Sequence, residues 1–99
     1  MLTLWDKEKN ITNQKKHGIS FEEAQSVFVN ENALLIHDPD NSGDEDRFIL
    51  LGLSASVRLM IVCHCYREND DIIRLISARQ ELVQNKNVIG KGDDYEKRI

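Results

Sequence analysis

The most regular pattern of apolar and polar positions lies between residues 47 and 80. Three apolar runs of strand length occur there, and short polar turns around Ala55-Ser56 and Asn69-Asp70 separate them: RFILLGLS, RLMIVCHCYR and DIIRLISAR. Runs joined by turns this short are typical of an antiparallel meander. With Ala55 and Ser56 as the two central turn residues, Arg47 is predicted to lie opposite His64.

This register divides the first two strands into two faces. One face is predicted to be partly open: Arg47, Ile49, Leu51, Leu53, Arg58, Met60, Val62, His64 and Tyr66. The other is predicted to lie under helices: Phe48, Leu50, Leu59, Ile61, Cys63 and Cys65. The face that Arg74 joins depends on a one-residue choice of register at Asn69-Asp70, which the pattern leaves open.

Two helices and two short strands are predicted before the meander. Residues 2–5 alternate as a strand, with Leu2 and Leu4 on one face and Thr3 and Trp5 on the other. A very polar surface helix follows, bounded by an Asp6 N-cap and Gly18. A capping box at residues 20–23 opens a second helix that runs to about Val29 and covers the sheet with its apolar face. Residues 33–37 form a second short strand.

The predicted fold is therefore α+β, with two N-terminal helices packed on a small, mainly antiparallel sheet. A short C-terminal helix is expected over residues 80–86, and residues 93–98 are expected to form a last turn or to fray, as chain ends commonly do. The length of 99 residues corresponds to one domain, residues 1–99. No apolar run reaches membrane-spanning length and no signal peptide is visible, so we expect a cytoplasmic protein.

Metal and disulfide sites are not expected. Cys63 and Cys65 share one face of a strand and are the only cysteines, so they provide no disulfide framework and are expected to be core thiols. Zinc would need four suitably arranged ligands. The acidic loop at residues 38–44 lacks the spacing of an EF-hand and is read as a turn. We therefore expect no metal and no cofactor.

The net charge of −4 is unevenly distributed. Residues 1–46 contain four Lys and ten acidic residues, whereas residues 47–99 contain nine basic and seven acidic residues. Arginines recur in the meander at positions 47, 58, 67, 74 and 79. A local basic face can bind phosphate even on an acidic protein. The alternative is that these are solvated edge residues, some of them paired with neighbouring acids.

Several short motifs of the chain resemble those of the BrnT toxins of bacterial type II toxin–antitoxin systems. They follow the family's order and cover residues 4 to 79: Trp5-Asp6 with Lys9 and Asn13, KHGISFEEA at 16–24, DPD at 38–40, EDRF at 45–48, Gly52, and RLISAR at 74–79. The resemblance implies a RelE-like fold and a ribonuclease that arrests growth. It also implies a BrnA-type antitoxin that neutralises the toxin and makes the contacts with operator DNA.

The chain departs from the family pattern in two places. The loop carries Asn41-Ser42 where the family often has His-Ser, and the segment from Gln80 to Asp94 is nearly neutral where the family has a basic helix. The overall acidity of the chain also departs from the basic character usual in these toxins. The acidic balance and the altered C-terminal segment motivate an alternative function. The chain would keep the fold and bind an antitoxin-like partner as a protein-interaction module without nuclease activity.

RNA cleavage without a metal requires a base for the 2′-hydroxyl, stabilisation of the phosphorane charge and a proton for the leaving oxygen. Guanidinium groups suit the phosphorane. The candidate catalytic residues are Arg47, Arg67, Arg74 and Arg79, with His64 for acid–base work and Glu45 as the alternative base. The candidate RNA-binding residues are Lys16, His17, Arg58 and Tyr66.

Each of these candidates has a structural alternative. His64 lies in an apolar strand and can be a satisfied core residue. Arg79 can anchor a strand end, and Glu45 can simply pair with a basic neighbour. Lys16 and His17 suit the C-terminal end of a helix dipole without any ligand.

Overall fold

A five-stranded mixed sheet forms the centre of residues 2–81, the part of the chain that the computed structural model describes. The strands are β1 (Leu2–Leu4), β2 (Leu34–His37), β3 (Arg47–Leu53), β4 (Leu59–Arg67) and β5 (Ile72–Gln80). Their order in the sheet is β1-β5-β4-β3-β2. Only the β1–β5 pair is parallel, and the other three pairs are antiparallel. The prediction of an α+β fold with a mainly antiparallel sheet is confirmed.

Both helices begin where the sequence signals predicted, and α1 also ends there. Helix α1 spans Lys7–His17, with the Asp6 carboxylate accepting a hydrogen bond from the Glu8 N–H at 2.8 Å and Gly18 in the left-handed region at φ 71°. Helix α2 spans Phe21–Gln25 and continues as a 3₁₀ turn over Ser26–Val29. The Ser20 hydroxyl caps α2 by accepting from the Glu23 N–H at 3.1 Å. Only this half of the predicted capping box forms, since the Glu23 carboxylate binds elsewhere.

Helix α1 contacts the rest of the domain through amide side chains. Asn10 and Asn13 are buried, whereas Ile11, the main apolar residue of the helix, is 46% exposed. The Asn10 side-chain oxygen accepts from the Phe21 N–H at 2.9 Å, which ties α1 to the start of α2. This arrangement explains how so polar a helix is held against the sheet.

The core lies between the helices and one face of the sheet. It consists of side chains from α2 and its flanks together with alternate residues of β3, β4 and β5: Ile19, Phe21, Ala24, Val27, Leu50, Met60, Val62, Ile73, Leu75 and Ala78. Gly52 lies opposite Met60 and therefore shares this face. A Cβ there would lie 2.7 Å from the Ala33 Cβ, which explains why the position is glycine. We call this side of the sheet the helix face and the other side the arginine face.

The β3–β4 register differs by one residue from the prediction. Ala55 and Ser56 are the central turn residues, since the Val57 N–H donates to the Ser54 carbonyl at 2.9 Å. However, Val57 then adopts φ 61° as an extra residue before pairing resumes with Arg58. A positive-φ residue added after a turn is the arrangement of a bulged hairpin.

This one-residue shift corrects the predicted faces. Arg47 lies opposite Cys65, and His64 lies opposite Phe48. The prediction that Leu59, Ile61, Cys63 and Cys65 lie under the helices is therefore wrong, because these residues lie on the arginine face. The prediction that Met60, Val62 and His64 share a face with Arg47 is wrong for the same reason.

The β4–β5 turn settles the face of Arg74. Three consecutive residues of this turn, Glu68, Asn69 and Asp70, have φ between 53° and 71°. Pairing after the turn places Arg74 opposite Cys65, so Arg74 joins the face of Arg47. A bulge between Cys63 and His64 then shifts the register for the remainder of β5.

The predicted C-terminal helix begins at a residue that belongs to β5, Gln80. The remainder of that prediction, and the expected fraying toward the C-terminus, lie outside the described residues. Within residues 2–81, no helix is long and apolar enough to cross a membrane.

Candidate functional site

Two guanidinium groups flank one cysteine on the arginine face. Arg47 on β3, Cys65 on β4 and Arg74 on β5 are neighbours in one row across the sheet. Adjacent strands are about 4.8 Å apart, so the Cα atoms of the two arginines are separated by about 10 Å. Because Cys65 between them is small and fully buried, the two long side chains can reach one ligand above it.

A third arginine lies beside this row and is ion-paired. Arg67 follows Cys65 by two residues on β4 and therefore shares its face. Its Nη2 lies 3.0 Å from Glu45 Oε2. A hydrogen bond with the Cys65 side chain and the charge of Glu45 raise the pKa of Arg67. The structure thus brings Glu45 into the same cluster as Arg47, Arg67 and Arg74.

Arg79 shares the face but not the cluster. It lies opposite Ile61, four residues from Cys65 along β4. At about 3.3 Å per residue, that places Arg79 about 13 Å from the row of Arg47 and Arg74. Arg79 is therefore positioned to contact a different part of an extended ligand.

Three of these arginines have no counter-ion within residues 2–81. Among residues 2–81, the ion pairs formed by arginine are Arg58 with Glu23 and Arg67 with Glu45. No carboxylate of this region lies within salt-bridge distance of Arg47, Arg74 or Arg79. Unpaired guanidinium groups on one surface create a positive potential that attracts anions, and their planar forks suit phosphate.

His64 lies on the opposite side of the sheet from these arginines. Its side chain has no exposed surface, its Nδ1 lies 3.1 Å from the Val62 carbonyl, and its Nε2 lies 3.2 Å from the Tyr66 hydroxyl. Burial lowers the pKa of His64. The predicted position of His64 beside Arg47 is wrong, because Val57 shifts the register of the hairpin.

Arg58 and Tyr66 also lie away from the arginine face. The Arg58 guanidinium donates two hydrogen bonds to the Glu23 carboxylate, one of them from Nε at 2.9 Å, and so ties the β3–β4 hairpin to α2. This interaction is the main reason why the pKa of Glu23 falls to about 2. Tyr66 packs on the helix face against Phe48, with ring centroids 5.2 Å apart.

Lys16 and His17 lie in the last turn of α1. The helix runs along the outer edge of β5, and Asn13 hydrogen-bonds to Ala78 there. This direction carries Lys16 and His17 toward the end of β5 where Arg79 lies. They are therefore nearer to Arg79 than to the row of Arg47 and Arg74.

A cleft that the sequence interpretation missed adjoins the row on its β1 side. It has a volume of about 410 Å³ and is lined by Leu4, Trp5, Asp6, Arg67, Glu68, Ile72 and Arg74. We call it the Arg67–Arg74 cleft. The sequence predicted that Leu4 and Leu2 share one face of β1, but it did not predict the parallel pairing of β1 with β5.

The described residues form no group of three or more His, Cys, Asp and Glu side chains that could hold a metal ion. The arrangement that they do form is a small α+β domain with unpaired guanidinium groups on the face of a five-stranded sheet. Such a surface suits a phosphate-bearing ligand.

Comparison with known proteins assigns the chain to a family. The family model of BrnT, the ribonuclease toxin of type II toxin–antitoxin systems, matches residues 5–82, more than three quarters of the chain. The chain therefore belongs to the BrnT family. Membership of a type II toxin–antitoxin family implies an antitoxin partner.

The fold is also similar to a solved structure. The 1.1 Å crystal structure of the Brucella abortus ribonuclease toxin BrnT matches with a TM-score of 0.64 and 19% sequence identity, over 83% of this chain and 99% of that chain. At this identity the likeness shows the fold. No curated protein sequence matches the chain significantly.

Proposed function

We propose that this chain is an active toxin endoribonuclease that cleaves RNA without a metal and thereby arrests growth. The observation that carries the proposal is the row of Arg47, Cys65 and Arg74, in which two guanidinium groups flank one position on the sheet. Neither group has a counter-ion among the described residues 2–81. Two such groups can donate several hydrogen bonds to one phosphate. The family's description as ribonuclease toxins supports the same reading.

In the proposed reaction the RNA 2′-oxygen attacks the adjacent phosphorus while the bond from phosphorus to the 5′-oxygen breaks. The products are a 2′,3′-cyclic phosphate and a 5′-hydroxyl. Arg47 and Arg74 stabilise the negative charge of the pentacovalent phosphorane, where fixed donors act most strongly. Glu45, held by Arg67 at 3.0 Å, accepts the proton of the 2′-hydroxyl, and water protonates the leaving oxygen.

His64 has no part in this mechanism because its side chain is fully buried on the helix face. Arg79 and the α1 cations Lys16 and His17 are assigned to binding of the RNA strand beyond the scissile phosphate. Their assignment follows from their position toward the far end of β5.

The finer family properties belong to the same proposal. We infer that the fold is RelE-like, that residues 1–99 act as one domain in the cytoplasm, and that the antitoxin is of the BrnA type. Contact with operator DNA would come indirectly, through that antitoxin. The family's description as toxins of type II toxin–antitoxin systems supports the inference of an antitoxin partner.

A protein-interaction module without nuclease activity is the second candidate. The observation that favours it is the exposure of large aliphatic side chains on the arginine face, with Leu2, Leu34 and Leu53 each more than 40% exposed. Exposed apolar surface of this kind is typical of protein interfaces. The chain would then bind its partner without cutting RNA.

Induction of the chain alone in bacteria, with growth and total RNA followed in parallel, separates the two candidates. We expect growth arrest and RNA loss, relieved by Arg47→Ala or Arg74→Ala but not by Lys15→Ala, an exposed cation on α1. Circular dichroism of each purified variant checks folding. Normal growth and intact RNA with folded wild-type protein would favour the second candidate.

Purified protein tests the metal independence separately. Cleavage of a defined RNA is expected to proceed unchanged in EDTA and to leave 2′,3′-cyclic phosphate ends. Loss of cleavage in EDTA with recovery on addition of a divalent cation would show that the proposed chemistry is wrong.

A further inference from the structure

We infer that the Arg67–Arg74 cleft is a nucleobase-binding subsite that prefers guanine. The inference rests on the proposed function, because it assigns the nucleotide next to the phosphate bound by Arg47 and Arg74. The cleft, of about 410 Å³, is lined by two aliphatic residues, two arginines, two carboxylates and one tryptophan. The aliphatic side chains and the arginines can contact the faces of a base, and the carboxylates can accept hydrogen bonds from its edge.

The position of the cleft follows from strand pairing. Leu4 on β1 is the next neighbour of Arg74 in the row that contains Arg47 and Cys65, and Ile72 lies between Arg67 and Leu2 in the adjacent row. The cleft therefore begins where the arginine row ends. A phosphate held by Arg47 and Arg74 places the attached nucleoside over Leu4 and Ile72.

The aliphatic side chains and the arginines suit the flat faces of a base. Leu4 is 47% exposed and Ile72 is half-buried, so a base that covers them removes apolar surface from water. Guanidinium planes also stack on bases. The Arg67 guanidinium forms an ion pair with Glu45 at 3.0 Å, which restrains its orientation before RNA binds.

The carboxylates determine which part of a nucleotide can occupy the cleft. Asp6 and Glu68 would repel a phosphate, so the group that enters between them must donate hydrogen bonds. Asp6 uses Oδ1 to cap α1 through the Glu8 N–H, and Glu68 is exposed at the β4–β5 turn. Neither carboxylate forms an ion pair within residues 2–81.

The pattern of donors on the four bases gives the preference. Guanine presents two adjacent N–H donors on its Watson–Crick edge, which match the two oxygens of a carboxylate. Adenine and cytosine each present one amino group beside an acceptor. Uracil presents one N–H between two carbonyls that a carboxylate would repel. We therefore expect guanine to bind best and uracil worst.

The test uses short 2′-O-methyl RNA probes, which cannot be cleaved, with one variable base in an oligouridine. Fluorescence anisotropy with the full-length protein is expected to show about tenfold tighter binding for guanine than for uracil at that position, the scale of one favourable base contact. Asp6→Asn keeps the N-cap, because Asn caps helices as well as Asp. The double variant that combines Asp6→Asn with Glu68→Gln should lose most of the preference for guanine.

A matched pair of variants tests the apolar floor. Leu4 and Leu2 are both exposed and lie on the same face of β1, but only Leu4 lines the cleft. Leu4→Gln is expected to weaken binding of the guanine probe about tenfold, whereas Leu2→Gln should leave it unchanged. Equal effects of the two variants, or equal affinity of the wild type for all four bases, would overturn the inference.

Failure of the subsite and failure of the proposed function give different results. If Arg47→Ala and Arg74→Ala abolish cleavage while the probes show no base preference, only the subsite is wrong. If wild-type protein neither binds any probe nor cleaves RNA, the proposed function fails, and the subsite fails with it.

Discussion

Arg47 and Arg74 lie on opposite sides of Cys65 in one row of the sheet. If both contact the same phosphorane, their contributions to catalysis depend on each other. Arg47→Ala and Arg74→Ala are each expected to lower the cleavage rate about 100-fold, as loss of one transition-state donor does. The double variant is expected to lose much less than the product of the two effects, because residues that act as a unit are not additive.

Arg79→Ala provides the comparison for this double-mutant cycle. Arg79 lies about 13 Å along the sheet from the row, so its loss should act mainly on KM and combine additively with Arg74→Ala. Strict additivity between Arg47 and Arg74 in single-turnover cleavage would show that they contact different groups.

The elements of this fold were predictable, but the relation between the two faces of the sheet was not. Turn residues and apolar runs located β3, β4 and β5, and capping signals located both helices. The placement of His64 beside Arg47 failed because the apolar pattern of β3 and β4 fits either face. The added residue Val57, a β-branched residue in the left-handed region, shifts the β3–β4 register by one residue, so that His64 lies opposite Phe48 rather than Arg47.

Val57→Gly is expected to stabilise the protein by about 1 kcal/mol, because glycine adopts positive φ without the steric penalty of a β-branched residue. The Val57 side chain is 73% exposed, so little packing is lost. Urea unfolding measures the change. Val29→Gly is the matched control, since Val29 is 83% exposed without a positive φ. It should lose stability, and a gain of similar size there would refute the explanation.

His64 makes the stability of the protein, rather than its catalytic activity, depend on pH. Burial lowers its pKa below 6.5 in the folded state, so the unfolded chain takes up the proton first as the pH falls. Stability is therefore full above pH 6.5 and decreases below it. His64→Gln should be less stable but lose less stability between pH 7 and pH 5, as measured by urea unfolding at each pH.

The same variant tests the assignment of His64 to the core. Where His64→Gln remains folded, it should cleave RNA at a rate close to that of the wild type. A large loss of kcat, with the fold and the RNA affinity retained, would show that His64 takes part in catalysis.

Glu23 makes the stability of the protein depend on pH in a second, more acidic range. Its pKa falls from 4.5 to about 2, first because Arg58 donates hydrogen bonds to it. The contribution of Glu23 to stability is therefore present above pH 4.5 and is lost as the pH falls toward 2. Glu23→Gln should be less stable at neutral pH, and its stability curve should converge with that of the wild type in acid.

A second feature that the sequence pattern did not reveal is the burial of Asn10 and Asn13. Their helix reads as polar all round, and sequence signals identify amphipathic helices by apolar spacing. A single side-chain amide that hydrogen-bonds to the backbone of a strand distant in sequence produces no such periodic pattern. The partner of Asn13 lies 65 residues away, at Ala78, so only the folded topology shows why a polar residue is buried there.

Asn13 takes the place of a neighbouring strand along β5. Strand β1 ends at Leu4, beside Arg74. Among the strands of residues 2–81, none pairs with β5 at Ala78 on this edge. The Asn13 amide donates to the Ala78 carbonyl at 2.8 Å and to the Ile19 carbonyl at 2.9 Å. Its oxygen accepts from the Ala78 N–H at 3.1 Å. One side chain thus satisfies both backbone groups of Ala78.

Asn13→Asp should destabilise the protein by about 3 kcal/mol at neutral pH, because it replaces two donated hydrogen bonds with repulsion between buried oxygens. The variant should regain stability in acid, where a protonated carboxyl can again donate one hydrogen bond. Asn32→Asp, at an exposed amide before β2, should change little. Urea unfolding at pH 7 and pH 5 measures both variants, and equal stability of Asn13→Asp and wild type at pH 7 would show that the Asn13 contact does not hold α1 to β5.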